Sequence, residues 1–140
     1  MNLEQFTNKV KEQISAAQLK ALQKQHQQML SLHMLSVLLE EKDIVVPLLQ
    51  QADTNLSTLQ NDIDKEIEKI PTVIQQDKTN IFISQELGKV FVEAQIIAKQ
   101  RKDQLTGIDS ILLALSKPSS DIGKILENSG LSYSALQEAI

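Results

Sequence analysis

Two histidines, His26 and His33, are the side chains with the clearest capacity to bind a metal or to transfer a proton. They stand seven residues apart, which is two helical turns, and the chain has no cysteine to complete a ligand set. Because His33 opens a strongly apolar stretch, we expect it to serve as a helix cap or a core residue. No metal site is therefore predicted.

Residues for phosphate or nucleophilic chemistry are also missing from their usual sequence contexts. Neither Gly107 nor Gly123 lies in the G-x-x-x-x-G-K-[ST] frame of a phosphate-binding loop. Serines and aspartates are numerous, but no G-x-S-x-G sequence places a serine as a nucleophile. The sequence predicts no catalytic residue and no cofactor bound by this chain.

Charge and hydropathy exclude further classes of partner. The 140 residues include 14 Lys+Arg and 18 Asp+Glu, and the formal net charge of −4 does not favour binding to nucleic acid. The apolar stretch at 44–49 is far shorter than the roughly 20 residues of a membrane span. Residues 1–5 lack the basic and apolar regions of a secretory signal. We expect a soluble, cytoplasmic protein with no membrane or nucleic-acid partner.

Helices must position whatever site the chain has. Leu and Gln are abundant, the chain has only 4 Gly and 3 Pro, and the alternation typical of strands is hard to find. The predicted fold class is all-α. A chain of this length buries about two thirds of the surface that its unfolded form exposes, which is enough for a core without disulfides.

Self-comparison predicts that the chain is a tandem duplication. An offset of 77 residues aligns 1–63 with 78–140 without a gap, and twelve pairs are identical where about five are expected by chance. The identical pairs are Ala17/Ala94, Gln18/Gln95, Ala21/Ala98, Gln23/Gln100, Gln27/Gln104, Leu35/Leu112, Leu38/Leu115, Leu49/Leu126, Ser57/Ser134, Leu59/Leu136, Gln60/Gln137 and Ile63/Ile140. We predict repeat one at about 1–70, a linker at about 71–80 and repeat two at about 81–140, related by a pseudo-twofold axis.

Each repeat is predicted to form four helices. The first follows a hydroxyl N-cap, Thr7 or Ser84, and the second is apolar nearly all round and therefore central. The third is short and ends in repeat two at Gly130. The fourth opens with a capping-box spacing at 57–60 and at 134–137.

These segments together resemble the double Clp N-motif. The resemblance rests on Phe6-Thr7-Asn8-Lys9, Ala17-Gln18-Leu19-Lys20-Ala21, Leu32-His33-Met34-Leu35-Ser36-Val37-Leu38-Leu39, Pro47-Leu48-Leu49 and their counterparts in the second repeat. Within that family the chain is most similar to the N-terminal domains of ClpB-type AAA+ disaggregases, and the similarity covers the whole chain. The sequence departs from the family by Asp53 in place of a glycine and by a linker, 75–78, without glycines.

The resemblance implies a function for a longer protein. That protein would be a hexameric, ATP- and Mg²⁺-dependent chaperone that extracts polypeptides from aggregates with the DnaK system, its nucleotide sites lying in AAA+ modules outside this chain. This domain would make early contacts with unfolded or aggregated clients. On its own it is predicted to be monomeric, because the two repeats use most of its apolar residues on each other.

Apolar residues outside the core stripe suggest where such clients bind. Leu19 and Ile96 lie about half a turn from that stripe, with Val92 beside Ile96. One interpretation is that Leu19 and Ile96 pack the repeats together. The other is that Ile96 and Ile97 line a client groove, to which Met29, Met34 and Phe82 could contribute.

The resemblance also implies three polar site residues, Thr7, Asp103 and Asp109, which align with positions that couple ClpB-type domains to substrate handling. A structural interpretation stands beside it: Thr7 as an N-cap, Asp103 as a loop residue and Asp109 as a cap of the second-repeat helix. Two other functions stay open. The chain could be a stand-alone helical adaptor or the N-domain of another Clp-type ATPase, protease-linked or secretion-associated, or it could be a small enzyme or metal carrier.

Overall fold

The computed structural model describes residues 3–74 and 81–140, and its regular secondary structure is almost entirely helical. A short 3₁₀ turn at Leu3–Gln5 precedes them. In chain order the elements are α1 (Asn8–Gln23), β1 (Gln28–Met29), α2 (Ser31–Leu38), α3 (Val45–Gln51), α4 (Leu56–Glu68), β2 (Phe82–Ile83), α5 (Gln85–Gln100), α6 (Ile108–Leu115), α7 (Gly123–Asn128) and α8 (Tyr133–Ala139). The predicted all-α duplication of a four-helix motif is confirmed, with one two-stranded parallel pair added.

Hydroxyl and amide side chains begin the helices at equivalent positions of the two repeats. The Oγ1 atom of Thr7 accepts the Val10 amide, and the Oγ atom of Ser84 accepts the Leu87 amide, as predicted. The caps predicted for the fourth helices were wrong by two residues. Asn55 caps α4 and Ser132 caps α8, because each helix already begins at the residue that follows.

Backbone strain repeats with the same offset as the sequence. The residues of positive φ in the described ranges are Gln25 (58°) and Lys102 (65°), and Asp53 (61°) and Gly130 (91°), and each pair is separated by 77 residues. Gly130 follows α7 in the left-handed conformation that commonly ends helices, as predicted. Asp53 adopts the same conformation after α3, which Asp tolerates better than most residues.

The second helices of the repeats, α2 and α6, form the centre of the core. Helix α1 packs on α2 and α5 packs on α6, while α2 also contacts α4 and α5. Leu35 and Leu112 are buried in these central helices. The ring of Phe6 meets that of Phe91 edge to face, with centroids 5.6 Å apart, so the segment before α1 is anchored in repeat two.

Two backbone pairings related by the pseudo-twofold axis join the repeats. The Thr7 amide donates to the Thr106 carbonyl over 3.1 Å, and the Ser84 amide donates to the Met29 carbonyl over 3.0 Å. Each repeat thus pairs its entry segment with the segment that follows the long first helix of the other repeat. The boundaries of the repeats remain a prediction, and residues 75–80 of the predicted linker lie outside the described ranges.

Candidate functional site

An apolar groove lies between the repeats, where the start of α1 meets α3 and the start of α6. Its volume is about 590 Å³. The residues that line it are Thr7, Lys9, Ile44, Pro47, Leu48, Gln51, Gly107, Ile108, Asp109 and Ile140. The groove therefore brings together two of the predicted polar residues, Thr7 and Asp109, from different repeats.

Gly107, the N-cap residue of α6, lies between Thr7 and Asp109 and leaves room for the Asp109 carboxylate. A Cβ atom at Gly107 would lie 3.0 Å from the Oδ1 atom of Asp109 and 3.8 Å from the Cγ2 atom of Thr7. Any other residue would therefore crowd the Asp109 carboxylate. The groove at this point is shaped by the absence of a side chain.

The Asp109 carboxylate is held by an arginine from the end of α5. Its Oδ2 atom lies 3.0 Å from Nη2 of Arg101, and its Oδ1 atom accepts the amide of Ser110. Gly107 is the N-cap, so Asp109 stands in the first turn of α6, where a negative charge is stabilised by the helix dipole. The Nε atom of Arg101 also lies 3.9 Å from Oδ2 of Asp103. Asp103 does not line the groove. It contacts Arg101, which in turn contacts the groove residue Asp109.

The opposite wall is carried by the turn between α2 and α3. Glu41 is buried there, and its carboxylate accepts the amides of Asp43, Ile44 and Val45. Burial alone would raise the pKa of Glu41, but these three hydrogen bonds and the nearby Lys9 ammonium outweigh it and hold the pKa below the usual range. Ile44, which follows, turns its side chain into the groove and remains 44% exposed.

Two exposed apolar residues of the groove have charged counterparts in the other repeat. At the 77-residue offset, Ile44 corresponds to Asp121 and Pro47 to Lys124. Lys9 corresponds to Glu86, whose carboxylate accepts both the amide and the hydroxyl of Ser31. A feature imposed by the packing of two similar repeats would recur on both sides. Ile44 and Pro47 do not recur, so their apolar character is not required by the duplicated fold.

The apolar residues predicted from the helical wheel occupy other places. Leu19 and Ile96 remain 54% and 45% exposed, so the interpretation that they pack the repeats together is wrong. Ile96 does not line the groove. Ile97 is only 4% exposed, and with Leu113 of α6 and Tyr133 of α8 it lines a second cleft of about 370 Å³, which adjoins the groove at Ile140.

The methionines suggested for a groove belong to the core. Met29 and Met34 are buried, whereas Phe82 is exposed outside the groove between the repeats. Sequence reasoning missed Ile44, Pro47 and Arg101. Ile44 and Pro47 fall in an apolar run that the sequence shows, but only the fold reveals which of its members face outward.

The described ranges offer no group of three His, Cys, Asp or Glu side chains arranged to hold a metal ion. Nor does any described helix combine the length and the apolar character that crossing a membrane requires. The groove presents apolar surface and intramolecular ion pairs, so its geometry suits binding to another molecule.

The family comparison agrees with this fold. Residues 5–129 match the family described as Clp repeat (R) N-terminal domain. The chain is 36% identical over 141 residues to chaperone protein ClpB of Rickettsia conorii and 32% identical to that of Pseudomonas putida. Each alignment covers 100% of this chain and 16% of the relative, so the chain spans about one sixth of their length.

Solved structures show the same architecture. The Hsp104 N-terminal domain from Candida albicans superposes with a TM-score of 0.82 at 26% identity, covering 96% of this chain and 87% of that one. A ClpV N-domain in complex with a VipB peptide superposes with a TM-score of 0.78 at 18% identity, covering 97% and 84%. The family resemblance drawn from the sequence is thereby confirmed, and the chain belongs to the family of Clp repeat N-terminal domains.

Proposed function

We propose that the groove between the repeats binds exposed apolar segments of unfolded polypeptides. The observation that carries this proposal is the one-sided exposure of two apolar residues: Ile44 and Pro47 line the groove where the equivalent positions hold Asp121 and Lys124. Apolar side chains kept at the surface on one side of a duplicated fold are typical of an interaction site.

The size and chemistry of the groove suit a short apolar segment. Its volume of about 590 Å³ lies within the range of about 300–1,000 Å³ common to ligand sites. The charges of Lys9 and Asp109 are already paired with Glu41 and Arg101, so affinity should come mainly from burial of apolar surface. A ClpV N-domain, which shares this fold, is known in complex with a peptide, and this supports a peptide as the occupant.

For a whole protein containing this chain, we propose the activity of a ClpB-type chaperone. It would be a cytoplasmic homohexamer that uses ATP and Mg²⁺ in AAA+ modules and rescues aggregated proteins with the DnaK system. Support comes from the identity of 36% to a ClpB chaperone across the full length of this chain. The domain would hold clients near those modules, and its own side chains would carry no catalytic step.

Substitution of Ile44 tests the groove directly. Ile44→Asp places a charge among apolar lining residues and should weaken binding of a permanently unfolded test protein, such as reduced and carboxymethylated α-lactalbumin, by about tenfold or more. Leu19→Asp is the matched control, because Leu19 is exposed to a similar degree outside the groove. Equal affinities of the two variants, measured by fluorescence anisotropy, would reject the groove.

The same binding assay distinguishes the roles of the other predicted site residues. Thr7 and Asp109 line the groove, and we propose that they contact bound clients, with Asp103 acting through Arg101. Ile96→Asp tests the exposed face of α5 as the binding site. If it weakens binding while Ile44→Asp does not, clients bind α5 and not the groove. Ile97 is buried, and we do not propose that it contacts clients.

A further inference from the structure

The wall of the groove that carries Ile44 is built around one buried carboxylate. The Glu41 side chain is only 5% exposed. Its Oε2 atom accepts the amides of Ile44 and Val45 over 2.7 and 2.9 Å, and its Oε1 atom accepts the amide of Asp43 over 3.0 Å. The Nζ atom of Lys9, which lines the groove from α1, lies 3.6 Å from Oε1. One carboxylate thus contacts two of the elements that form the groove.

These bonds replace a cap that the sequence does not supply. Helix α3 has Ile44 as its N-cap, and an isoleucine side chain cannot accept a hydrogen bond from the first amides. Glu41 satisfies them from three residues earlier. Without its carboxylate, the amides of Ile44 and Val45 would lose their acceptor, and the turn at 42–44 would lose the bonds that set its conformation.

Repeat two folds the equivalent turn without a carboxylate. Pro118 stands in place of Glu41, and the Ser120 hydroxyl there donates to the Leu115 carbonyl over 2.6 Å. The residue equivalent to Ile44 is Asp121, which lines no apolar groove. The buried carboxylate is therefore present where the turn borders the groove, and the turn itself does not require it.

We infer that Glu41 is a positioning residue of the groove, whose carboxylate fixes Ile44 and the start of α3 in the orientation that receives an apolar segment. This inference rests on the proposed binding function. Lys9 contributes by joining the carboxylate to α1, so the two walls keep a fixed separation before any client arrives. A wall that is ordered in advance costs less conformational entropy when the client binds.

Amide hydrogen exchange on the free chain tests the positioning without any client. In Glu41→Ala the amides of Ile44 and Val45 should exchange about tenfold faster or more, while amides of α6 keep their protection. Glu41→Gln should fall between, because its amide oxygen can accept from Ile44 and Val45 while its NH₂ group opposes the Asp43 amide. Unchanged exchange at Ile44 in both variants would overturn the inference, and Glu41→Gln decides it alone if the alanine variant does not fold.

Binding of the unfolded test protein gives the second readout. Glu41→Ala should weaken it by about tenfold, and Glu41→Gln by less. Asn55→Ala is the control for loss of stability, because it removes a helix cap of α4 that lies outside the groove. If Glu41→Ala binds no worse than Asn55→Ala while Ile44→Asp is impaired, the positioning role is overturned and the groove stands. If neither Glu41→Ala nor Ile44→Asp impairs binding, the groove itself is rejected.

Discussion

The Nδ1 atom of His26 lies 2.7 Å from the Nε2 atom of His33, and both rings are buried. The amide of Leu30 donates to Nδ1 of His33 over 2.9 Å, so that nitrogen carries no proton. The proton of a neutral His33 is then on Nε2, and His33 donates to His26. The prediction that His33 acts as a cap or core residue is confirmed, since its ring accepts an amide at the start of α2.

This pair predicts a loss of stability in mild acid. Burial first, and then the nearby His26, Lys20 and Lys24, lower the pKa of His33 from 6.5 to about 4. The unfolded chain therefore binds a proton more readily than the folded one. The free energy of unfolding should be greatest above pH 6.5 and should fall by up to about 3 kcal/mol as the pH drops from 6.5 to 4. Denaturant titrations at several pH values in this window measure it.

The variant His33→Gln tests whether His33 causes this loss. It should flatten the pH dependence of the free energy of unfolding, because glutamine at this helix position can still accept the Leu30 amide without titrating. An unchanged slope would contradict the assignment of the loss to His33.

Two neighbouring isoleucines on α5 should differ strongly in how much stability a charged substitution costs. Ile97→Asp buries an unpaired carboxylate and should lower the free energy of unfolding by about 3 kcal/mol or more. Ile96→Asp, one residue earlier and 45% exposed, should change it by no more than about 0.5 kcal/mol. Urea denaturation of both variants makes the comparison. Equal losses would show that the orientation of α5 is misassigned.

The ion pair between Arg101 and Asp109 should be energetically coupled. Both side chains are about one third exposed, so a double-mutant cycle of Arg101→Ala and Asp109→Ala should give a coupling of about 0.5–1 kcal/mol. Denaturant titration of the four proteins measures it. Additive effects would indicate that the pair makes no contribution to folding and that Asp109 acts only within its own helix turn.

Client binding should depend little on ionic strength. Lys9 and Asp109, the charged residues that line the groove, are both engaged with partners in the same chain. We expect the affinity for the unfolded test protein to change by less than about twofold between about 50 and 300 mM NaCl. A steep loss of affinity with salt would instead assign recognition to the charges.

Local signals made much of the fold predictable. Thr7 and Ser84 precede an apolar stripe of helical period, and this combination is specific enough to place a cap to the residue. The spacing at 57–60 gave a wrong N-cap for α4. Ser57 and Gln60 have the spacing of a capping box but lie inside the helix, and Asn55 is the residue whose side chain accepts an amide of the first turn. The pairing of β1 with β2 was not predictable, since two-residue strands carry no periodicity.

The groove could not be predicted from the sequence, because its residues come from several elements. A helical wheel ranks residues within one element, and it correctly placed Leu19 and Ile96 away from the core stripe. The groove is formed by four elements from two repeats, α1, α3, α6 and the end of α8, and Ile44 faces it from a turn whose amides Glu41 accepts. The contact between Arg101 and Asp109 likewise joins two helices whose approach depends on tertiary packing.

The exchanged backbone pairing between the repeats has a consequence for cooperativity of unfolding. Thr7 loses its carbonyl partner at Thr106 if repeat two unfolds, and Ser84 loses its partner at Met29 if repeat one unfolds. Phe6 likewise depends on Phe91 for part of its burial. Each repeat on its own would therefore lose a backbone hydrogen bond at the start of its first helix. Despite the duplication, the chain should melt in a single calorimetric transition with equal van't Hoff and calorimetric enthalpies, as one folding unit and not as two.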